Sequence, residues 1–213
     1  MRNELKTDRV SVGRLKDRGA YDLKTICAIL DEGKVCHVGF TIDDQPYVIP
    51  MVYARIDNKL ILHGSVLSRL MNKLANGINV CVTVTLVDGM VLARSAFHHS
   101  MNYRSVVVLG KATPIIRESE KAQALDALVD HLIPGRSKGS RPASKQELKA
   151  THVMALKISE ASAKVRSGDP KDDKEDMQTD YWAGVIPMTT VYGEPRPAAD
   201  LNKSIPLPDF TGL

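Results

Sequence analysis

Short segments rich in Val, Ile, Thr and Tyr recur along most of the chain. Such segments are typical of β-strands, because branched and aromatic side chains pack well on a pleated surface. The pattern predicts strands over residues 35–42, 47–55, 59–63, 80–86, 91–97, 103–113, 151–158 and 163–166. Turn signals separate several of them, at Asp43-Asp44, Asp57-Asn58 and Asp88-Gly89. The short strands favour a mainly β fold, a closed antiparallel barrel with flanking helices, over alternating βαβ units.

Helical spacing of apolar residues occurs in three places and predicts helices over residues 21–32, 67–75 and 118–132. Asp22 is a candidate N-cap and Gly33 a stop for the first of these helices, and Ser65 is a candidate N-cap for the second. Residues 135–147 have the composition of a flexible loop.

The remaining segments predict the domain organisation. Residues 1–20 are polar, basic and without period, which indicates an arm that lies on a surface. A single domain is expected over residues 21–186, followed by a proline-rich tail over 187–213. This tail is not expected inside a sheet, because proline lacks the N–H that a ladder requires.

Composition and charge narrow the class of protein. Twenty-nine Lys plus Arg against 25 Asp plus Glu give a net charge of +4, spread along the chain. There is no basic stripe with interleaved aromatic residues, so nucleic-acid binding is not expected. No apolar run has the length of a membrane span and the first residues lack an apolar signal segment, which predicts no membrane association. The three cysteines, Cys27, Cys36 and Cys81, have no paired spacing and indicate free thiols in the cytoplasm.

The segment 44–75 contains the clearest candidate chemistry. Pro50 stands in the middle of a predicted strand, which indicates an edge, a bulge or backbone that faces a ligand. The next strand ends in His63-Gly64-Ser65 and leads into a helix with Ser68, Arg69 and Lys73. A glycine, hydroxyl groups, a helix N-terminus and two cations are the components of an anion site.

Other motifs are incomplete or absent. His98 and His99 are adjacent, but on a strand they would point to opposite faces, and no Cys or Glu at ligand spacing completes a metal site. The chain has no nucleophile elbow, no GxGxxG and no GxxxxGK[ST], which argues against hydrolase, dinucleotide-fold and nucleoside-triphosphatase functions.

Several separated segments together resemble one known family. GKVCHVGFTIDDQPYVIPMVYARIDNKLILHGS, SRLMNKL, VCVTV, SAFHHSMNYRSVVVLGKA, KVRSGDPKDD and DYWAGVIPM follow in this order over about residues 9–190. They closely resemble the pyridoxamine 5′-phosphate oxidase-related flavin-binding proteins. The resemblance implies an antiparallel, Greek-key split barrel that binds flavin mononucleotide (FMN) at the interface of a homodimer.

The resemblance also implies which residues contact the cofactor. Ile49, Pro50, Met51, Val52 and Tyr53 would lie against the flavin ring. The FMN phosphate would meet Ser68 and Arg69 of the anion site, with His63, Gly64 and Ser65 close by and Lys73 as a further candidate cation. Two further segments would approach the flavin, one with Tyr103, Arg104 and Ser105 and the other with Trp182, which a partner chain is able to supply.

One departure from the family changes the expected substrate. The oxidases that act on pyridoxamine 5′-phosphate end in an Arg-rich strand over the substrate phosphate, whereas this chain ends in PRPAADLNKSIPLPDFTGL. An FMN-dependent oxidoreductase with another small substrate is therefore expected. Two alternatives stay open: a non-catalytic flavin-binding or storage module, and a haem-binding split barrel in which His63 or His99 ligates the iron.

Overall fold

The computed structural model describes residues 5–210. Its strands are β1 (Gly19–Ala20), β2 (Val35–Ile42), β3 (Gln45–Ile56), β4 (Lys59–Ser65), β5 (Asn79–Leu92), β6 (Ser100–Pro114), β7 (Thr151–Lys157), β8 (Ala161–Arg166) and β9 (Gly184–Pro187). The α-helices are α1 (Leu23–Glu32), α2 (Arg69–Ala75), α3 (Glu118–Leu132) and α4 (Lys145–Ala150). Residues 1–4 of the expected arm and 211–213 of the expected tail lie outside the described residues.

The strands form a closed antiparallel ring. β5 and β6 make a long hairpin, and the ring continues from β6 through β7, β4, β3 and β2 back to β5. β8 and β1 extend the sheet beside the first half of β6, and β9 extends it beside the end of β5. The predicted mainly β barrel with flanking helices is therefore confirmed.

Alternating side chains fill the barrel. On β2, for example, Cys36, Val38 and Phe40 are buried while Val35 and His37 are exposed. Helix α1 covers the barrel with its buried Ile26, Ile29 and Leu30, whereas α3 packs on the outside of β3 and β4 with Ala124 and Leu128. This two-residue alternation fixes which residues of β2 and β3 face solvent and which face the core.

The barrel is split between β3 and β4. These two strands pair only from Tyr53 to Ile56, against residues 59–62. On the N-terminal side of Tyr53, the edge of β3 that faces away from β2 has no strand beside it among the described residues. In the same region the end of β4 pairs with β7 and no longer with β3. Pro50 lies in this unpaired stretch and pairs only with β2, as its missing N–H requires.

Three sequence predictions are wrong in the region of β5. Residues 80–86 and 91–97 belong to one continuous strand up to Leu92, followed by a short 3-10 turn over Ala96–His98. Asp88-Gly89 makes a β-bulge instead of a turn. The Arg104 guanidinium holds Asp88 from the neighbouring strand, and a Cβ at Gly89 would lie 3.0 Å from the Ile186 carbonyl oxygen of β9. The tertiary contacts thus absorb the extra residue as a bulge.

Local predictions fail at two other places. Helix α2 begins at Arg69, and its N-cap is Ser68 instead of Ser65. The expected loop 135–147 contains a 3-10 turn (Arg136–Gly139) and the start of α4, where Ser144 and Glu147 form a capping box.

The three cysteines differ in how far they are buried. Cys36 is buried, and this burial raises the pKa of its thiol to about 12, whereas Cys27 and Cys81 are half-buried. All three thiols are free. Among the described residues, no helix combines the length and the apolarity that a bilayer crossing demands.

Candidate cofactor site

A pocket of about 490 Å³ lies between the unpaired edge of β3 and helix α2. It is lined by Phe40, Ile49, Pro50, Met51, Val52, His63, Gly64, Ser65, Ser68, Arg69, Leu70 and Met71. One wall is the strand edge, where alternate residues direct backbone N–H and C=O groups away from β2. The opposite wall is the end of β4 and the start of α2, which supply hydroxyl groups and a guanidinium.

The strand-edge wall is suited to a flat heteroaromatic ring. Backbone groups of an unpaired strand edge are donors and acceptors that need partners. Ile49 and Met51 add apolar surface beside them, and Ile49 is 39% exposed. A ring with an apolar face and a polar edge satisfies both features at once.

His63 is the titratable group of the pocket. Its ring is half-buried, and its Nδ1 is buried without a hydrogen-bond partner among the described residues. Burial lowers the pKa of His63 below that of a free imidazole, because the charged form loses its solvation. At neutral pH the imidazole is therefore neutral and adds no charge to the pocket.

Ser65 and Ser68 keep a hydrogen-bond donor for a ligand. The Ser65 hydroxyl accepts from the Leu67 N–H at 3.1 Å, and the Ser68 hydroxyl accepts from the Met71 N–H at 3.4 Å. A hydroxyl that accepts a backbone hydrogen bond still has its own O–H to donate. Ser65 is thus held by the turn before α2 and Ser68 by α2 itself, and each hydroxyl keeps a donor for a ligand.

Arg69 is the cation of the pocket. Its guanidinium lies over the Tyr47 ring, 4.6 Å from the ring centroid, and Tyr47 in turn stacks on Phe40 at 5.4 Å. Among the described residues Arg69 makes no ion pair. Its donors are therefore available to an anion such as a phosphate, which guanidinium binds in a bidentate manner.

A second cavity of about 550 Å³ adjoins the first one along β2 and β3. Phe40 lines both cavities, and Tyr47, under the Arg69 guanidinium, lines the second. Gly39 and Cys81 form part of its floor. The Arg69 guanidinium, which lines the first cavity, thus lies over a residue that lines the second.

Gly64 has a packing role in addition to the expected close approach of a ligand. A Cβ on Gly64 would lie 2.8 Å from Cγ of Met71, the buried residue of α2 that faces it. The glycine allows α2 to pack on the end of β4, and this contact sets the position of Ser68 and Arg69.

Several residues expected at the flavin lie elsewhere in this chain. Tyr53 is fully buried, and its hydroxyl donates to the Leu30 carbonyl oxygen at 2.5 Å. Lys73 is on α2 but does not line the pocket. Ser105 faces β8, where its hydroxyl lies 3.4 Å from the Lys164 carbonyl oxygen. Trp182 is 66% exposed beside Gly184.

Arg104 and Tyr103 are also outside the pocket. The Arg104 guanidinium forms ion pairs with Glu32 and Asp88, and these two carboxylates raise its pKa. Tyr103 is half-buried on β6 and pairs in register with Arg166 of β8. Within one chain, the segment around Arg104 joins α1, β5 and β6 instead of reaching the pocket.

Sequence reasoning missed Phe40, Leu70 and Met71 of the pocket lining. All three are apolar residues with the spacing of ordinary core positions, so no sequence signal separates them from the core. It also missed a cluster of potential metal ligands, His98, Asp173 and Asp176, whose donor atoms lie within 4.8 Å of one another. His98 lies in the short turn after β5, and its Nε2 is 3.2 Å from the Asp173 carboxylate.

Comparison with known proteins agrees with this geometry. The family model described as pyridoxamine 5′-phosphate oxidase matches residues 22–165. The chain therefore belongs to the pyridoxamine 5′-phosphate oxidase-like family of flavin-binding split barrels, as the sequence motifs indicated. No curated protein matches the chain.

Three solved structures are informative relatives. The flavocytochrome Anf3 from Azotobacter vinelandii is 41% identical, with a TM-score of 0.90 over 95% of this chain and 94% of that chain. The FAD and haem binding protein from Mycobacterium smegmatis is 37% identical, with a TM-score of 0.86 over 90% and 94%. A Bacteroides thetaiotaomicron protein named for 5-nitroimidazole antibiotic resistance is 27% identical, with a TM-score of 0.56 over 68% and 84%.

Proposed function

We propose that this protein binds a flavin and a haem and acts as a redox protein, with the flavin in the pocket at the edge of β3. The observation that carries the flavin assignment is the pairing of two features in one cavity. An unpaired strand edge lies opposite Ser65, Ser68 and Arg69, which offer donors to a phosphate. A bound flavin would supply the electron transfer, and the protein residues bind and orient it.

Each wall then has a defined task. Ile49 to Val52 would hold the ring through backbone groups and apolar contact. Arg69, with Ser65 and Ser68, would fix the phosphate end, so that the ring is held from two sides. The neutral His63 would contact the cofactor as a hydrogen-bonding group without adding a charge beside the ring.

We assign FAD to this pocket in preference to the FMN that the sequence resemblance implied. A flavocytochrome and an FAD and haem binding protein support this choice. Each is more than 35% identical to this chain over at least 90% of its length. The second cavity, lined by Tyr47 under the Arg69 guanidinium, supports the same assignment, because FAD carries a second phosphate and an adenosine that need additional space. FMN would leave that second cavity without a ligand.

The proposed haem rests on the same two relatives. The sequence suggested His63 or His99 as the iron ligand. His63 lines the cavity that we assign to the flavin, and the Nδ1 of His99 is 3.1 Å from the Ser95 carbonyl oxygen on an exposed turn. Neither residue lines any of the four other cavities described for residues 5–210, of about 550, 450, 690 and 280 Å³.

We also propose a homodimer. Val48 of β3 is 64% exposed, and the apolar residues Trp182, Val191 and Leu207 are exposed after β8 and along the tail. A second copy that covers these residues would remove apolar surface from water. It would also bring residues of the partner chain toward the open side of the pocket, as the family resemblance implies.

An FMN-dependent oxidoreductase with a small substrate is the second candidate. The relative named for nitroimidazole resistance supports it, because a substrate of that kind is a flat ring. The pocket along β3 is open on one side and leaves room for such a ring beside a flavin. This candidate requires turnover with a reduced nicotinamide, whereas the flavin and haem protein does not.

The deciding experiment is the analysis of the cofactors that co-purify with the protein. We expect acid-released flavin to elute as FAD in chromatography and the untreated protein to show both flavin absorption and a Soret band. FMN as the sole flavin would contradict the FAD assignment. Absence of a Soret band after growth with added haem precursor, and after haem titration, would contradict the haem assignment.

A further inference from the structure

We infer that the haem binds in a cavity over β2 and β5, with His37 as the residue that ligates the iron. This inference rests on the proposed function, and it names a cavity separate from the flavin pocket. The cavity measures about 690 Å³, within the range of ligand-binding pockets. His37 is the histidine that lines it.

The position of His37 is unusual for a histidine in a core strand. Its neighbours Cys36 and Val38 are fully buried inside the barrel, so the His37 side chain lies on the outer face of the sheet. It is exposed and makes no side-chain hydrogen bond among the described residues. An imidazole with free nitrogens, on a rigid strand, is a suitable haem ligand.

The walls of the cavity are suited to a flat, mainly apolar macrocycle. Val35 and Val87 lie on the sheet side, and they are 46% and 37% exposed. The segment after β9 forms the opposite wall with Met188 and Tyr192, both exposed apolar or aromatic side chains. A ligand between these walls would cover apolar surface that is otherwise in contact with water.

The opposite wall is anchored to the sheet. The Met188 N–H donates to the Asp88 carbonyl oxygen at 3.0 Å, directly after the last residue of β9. The bulge in β5 places Asp88 at this point. The cavity therefore has two defined sides, the face of β2 and β5 and the segment after β9.

One end of the cavity is charged and the other is not. Glu32, Lys34, Asp88 and Arg104 line the charged end, and three of these groups are joined in one ion-pair network. Lys34 has no carboxylate partner among the described residues, and its ammonium donates to the His131 carbonyl oxygen at 2.6 Å. Its other donors suit a haem propionate. A haem propionate at this end would lie beside the Lys34 ammonium, since Arg104 is already paired with the carboxylates of Glu32 and Asp88.

The test compares histidine variants of the full-length protein. Haem is titrated into wild type and into His37→Ala, His63→Ala and His99→Ala, and the Soret band and the low-temperature electron paramagnetic resonance of the ferric form are recorded. We expect His37→Ala to lose at least 10-fold in haem affinity and to change both spectra. His99→Ala should match wild type, and His63→Ala should keep the haem spectra.

Two further measurements separate loss of the ligand from loss of the fold. His37→Gly with added imidazole should regain the wild-type Soret band, because imidazole fills the space of the missing side chain. Flavin content and far-ultraviolet circular dichroism of His37→Ala should equal those of wild type. Lys34→Ala should weaken haem binding by about 3-fold without changing the spectra, because it removes a charge at the rim only.

The outcomes distinguish this inference from the proposed function. If wild type binds no haem, the haem part of the proposed function fails. If wild type binds haem and His37→Ala has the same affinity and spectra, His37 is not the ligand, and the proposed function stands. Loss of the spectra in His63→Ala alone would assign the iron to the flavin pocket and overturn this inference.

Discussion

His37 and Pro50 are directly opposite each other across the β2–β3 ladder, and their side chains lie on the same face of the sheet. Pro50 lines the pocket between β3 and α2, whereas His37 lines the cavity over β2 and β5. Cα atoms of such a pair are about 5 Å apart. The two proposed cofactor cavities are therefore one strand spacing apart, which predicts that haem titration quenches the fluorescence of the bound flavin.

Arg69→Ala should weaken flavin binding by about 1.5–3 kcal/mol, the range for a hydrogen bond to a charged group. Arg69 has no carboxylate partner among the described residues, lines the pocket and lies over Tyr47, which lines the second cavity. Fluorescence titration of the flavin measures the change. Lys73→Ala is the matched control, since it removes the same charge from the same helix outside the pocket. Equal affinities of Arg69→Ala and wild type would overturn the phosphate assignment.

Tyr53→Phe should lower the free energy of unfolding by about 1–2 kcal/mol and leave flavin affinity unchanged. The variant removes a buried hydrogen bond of 2.5 Å and leaves the Leu30 carbonyl oxygen unpaired. Chemical denaturation gives the stability, and Tyr181→Phe, at a position that is 71% exposed, serves as the neutral control. A loss of flavin affinity in Tyr53→Phe would support the ring contact that the resemblance implied.

The stability of the flavin-free protein should fall as the pH drops below about 6.5. Burial lowers the pKa of both His63 and His131 in the folded protein below the 6.5 of the free side chain. The unfolded chain therefore takes up protons first, and the free energy of unfolding decreases until the folded protein is also protonated. His63→Gln should reduce this decrease between pH 7.5 and pH 5.5 in urea denaturation. A decrease as large as in wild type would contradict the assigned cause.

Light scattering should give a mass about twice the 23.4 kDa of the chain. Val48 and Trp182 are among the exposed apolar residues that a second copy would cover. Val48→Asp should shift the protein toward the monomer and weaken flavin binding at the same time, because a charge in an apolar contact loses its solvation. A monomeric wild type with tight flavin binding would refute a site shared by two chains.

The protein should not efficiently oxidise pyridoxamine 5′-phosphate. That substrate needs a cation cluster of its own, and residues 187–213 contain only Arg196 and Lys203 as cations. Arg166 does not substitute for them, because it is buried and bonded to Asn102 and to the carbonyl oxygens of Gly168 and Asp169. Oxygen-dependent assays of the flavin-loaded protein measure the product. A kcat/KM above about 10⁴ M⁻¹s⁻¹ would show the prediction wrong.

The features that the sequence determined alone are those with a local cause. The Asp22 side chain accepts from the Thr25 N–H, as N-capping rules require. Gly33 ends α1 at the expected place, but its backbone is extended, and a Cβ there would lie 2.5 Å from Cγ1 of Val84, so packing is what requires the glycine. Asp43, Asp44 and Asp57 adopt the positive φ that tight turns require. The strands on either side of these turns therefore form at nearly the expected positions. The stretch with Pro50 is unpaired on one side, which follows from the missing N–H.

Only the tertiary structure decided which residues meet. Asp88-Gly89 has the sequence of a turn, but the ion pair with Arg104 and the contact with β9 make it a bulge. The same ion pair holds Arg104 away from the β3 pocket, where the resemblance expected it. The sequence indicates Arg69 as an anion ligand, but not that it lies over Tyr47, and His37 looks like an ordinary strand residue in the sequence. Arg69 lies over Tyr47, and His37 shares a cavity with the segment after β9. These partners are distant along the chain, and no local propensity encodes such long-range contacts.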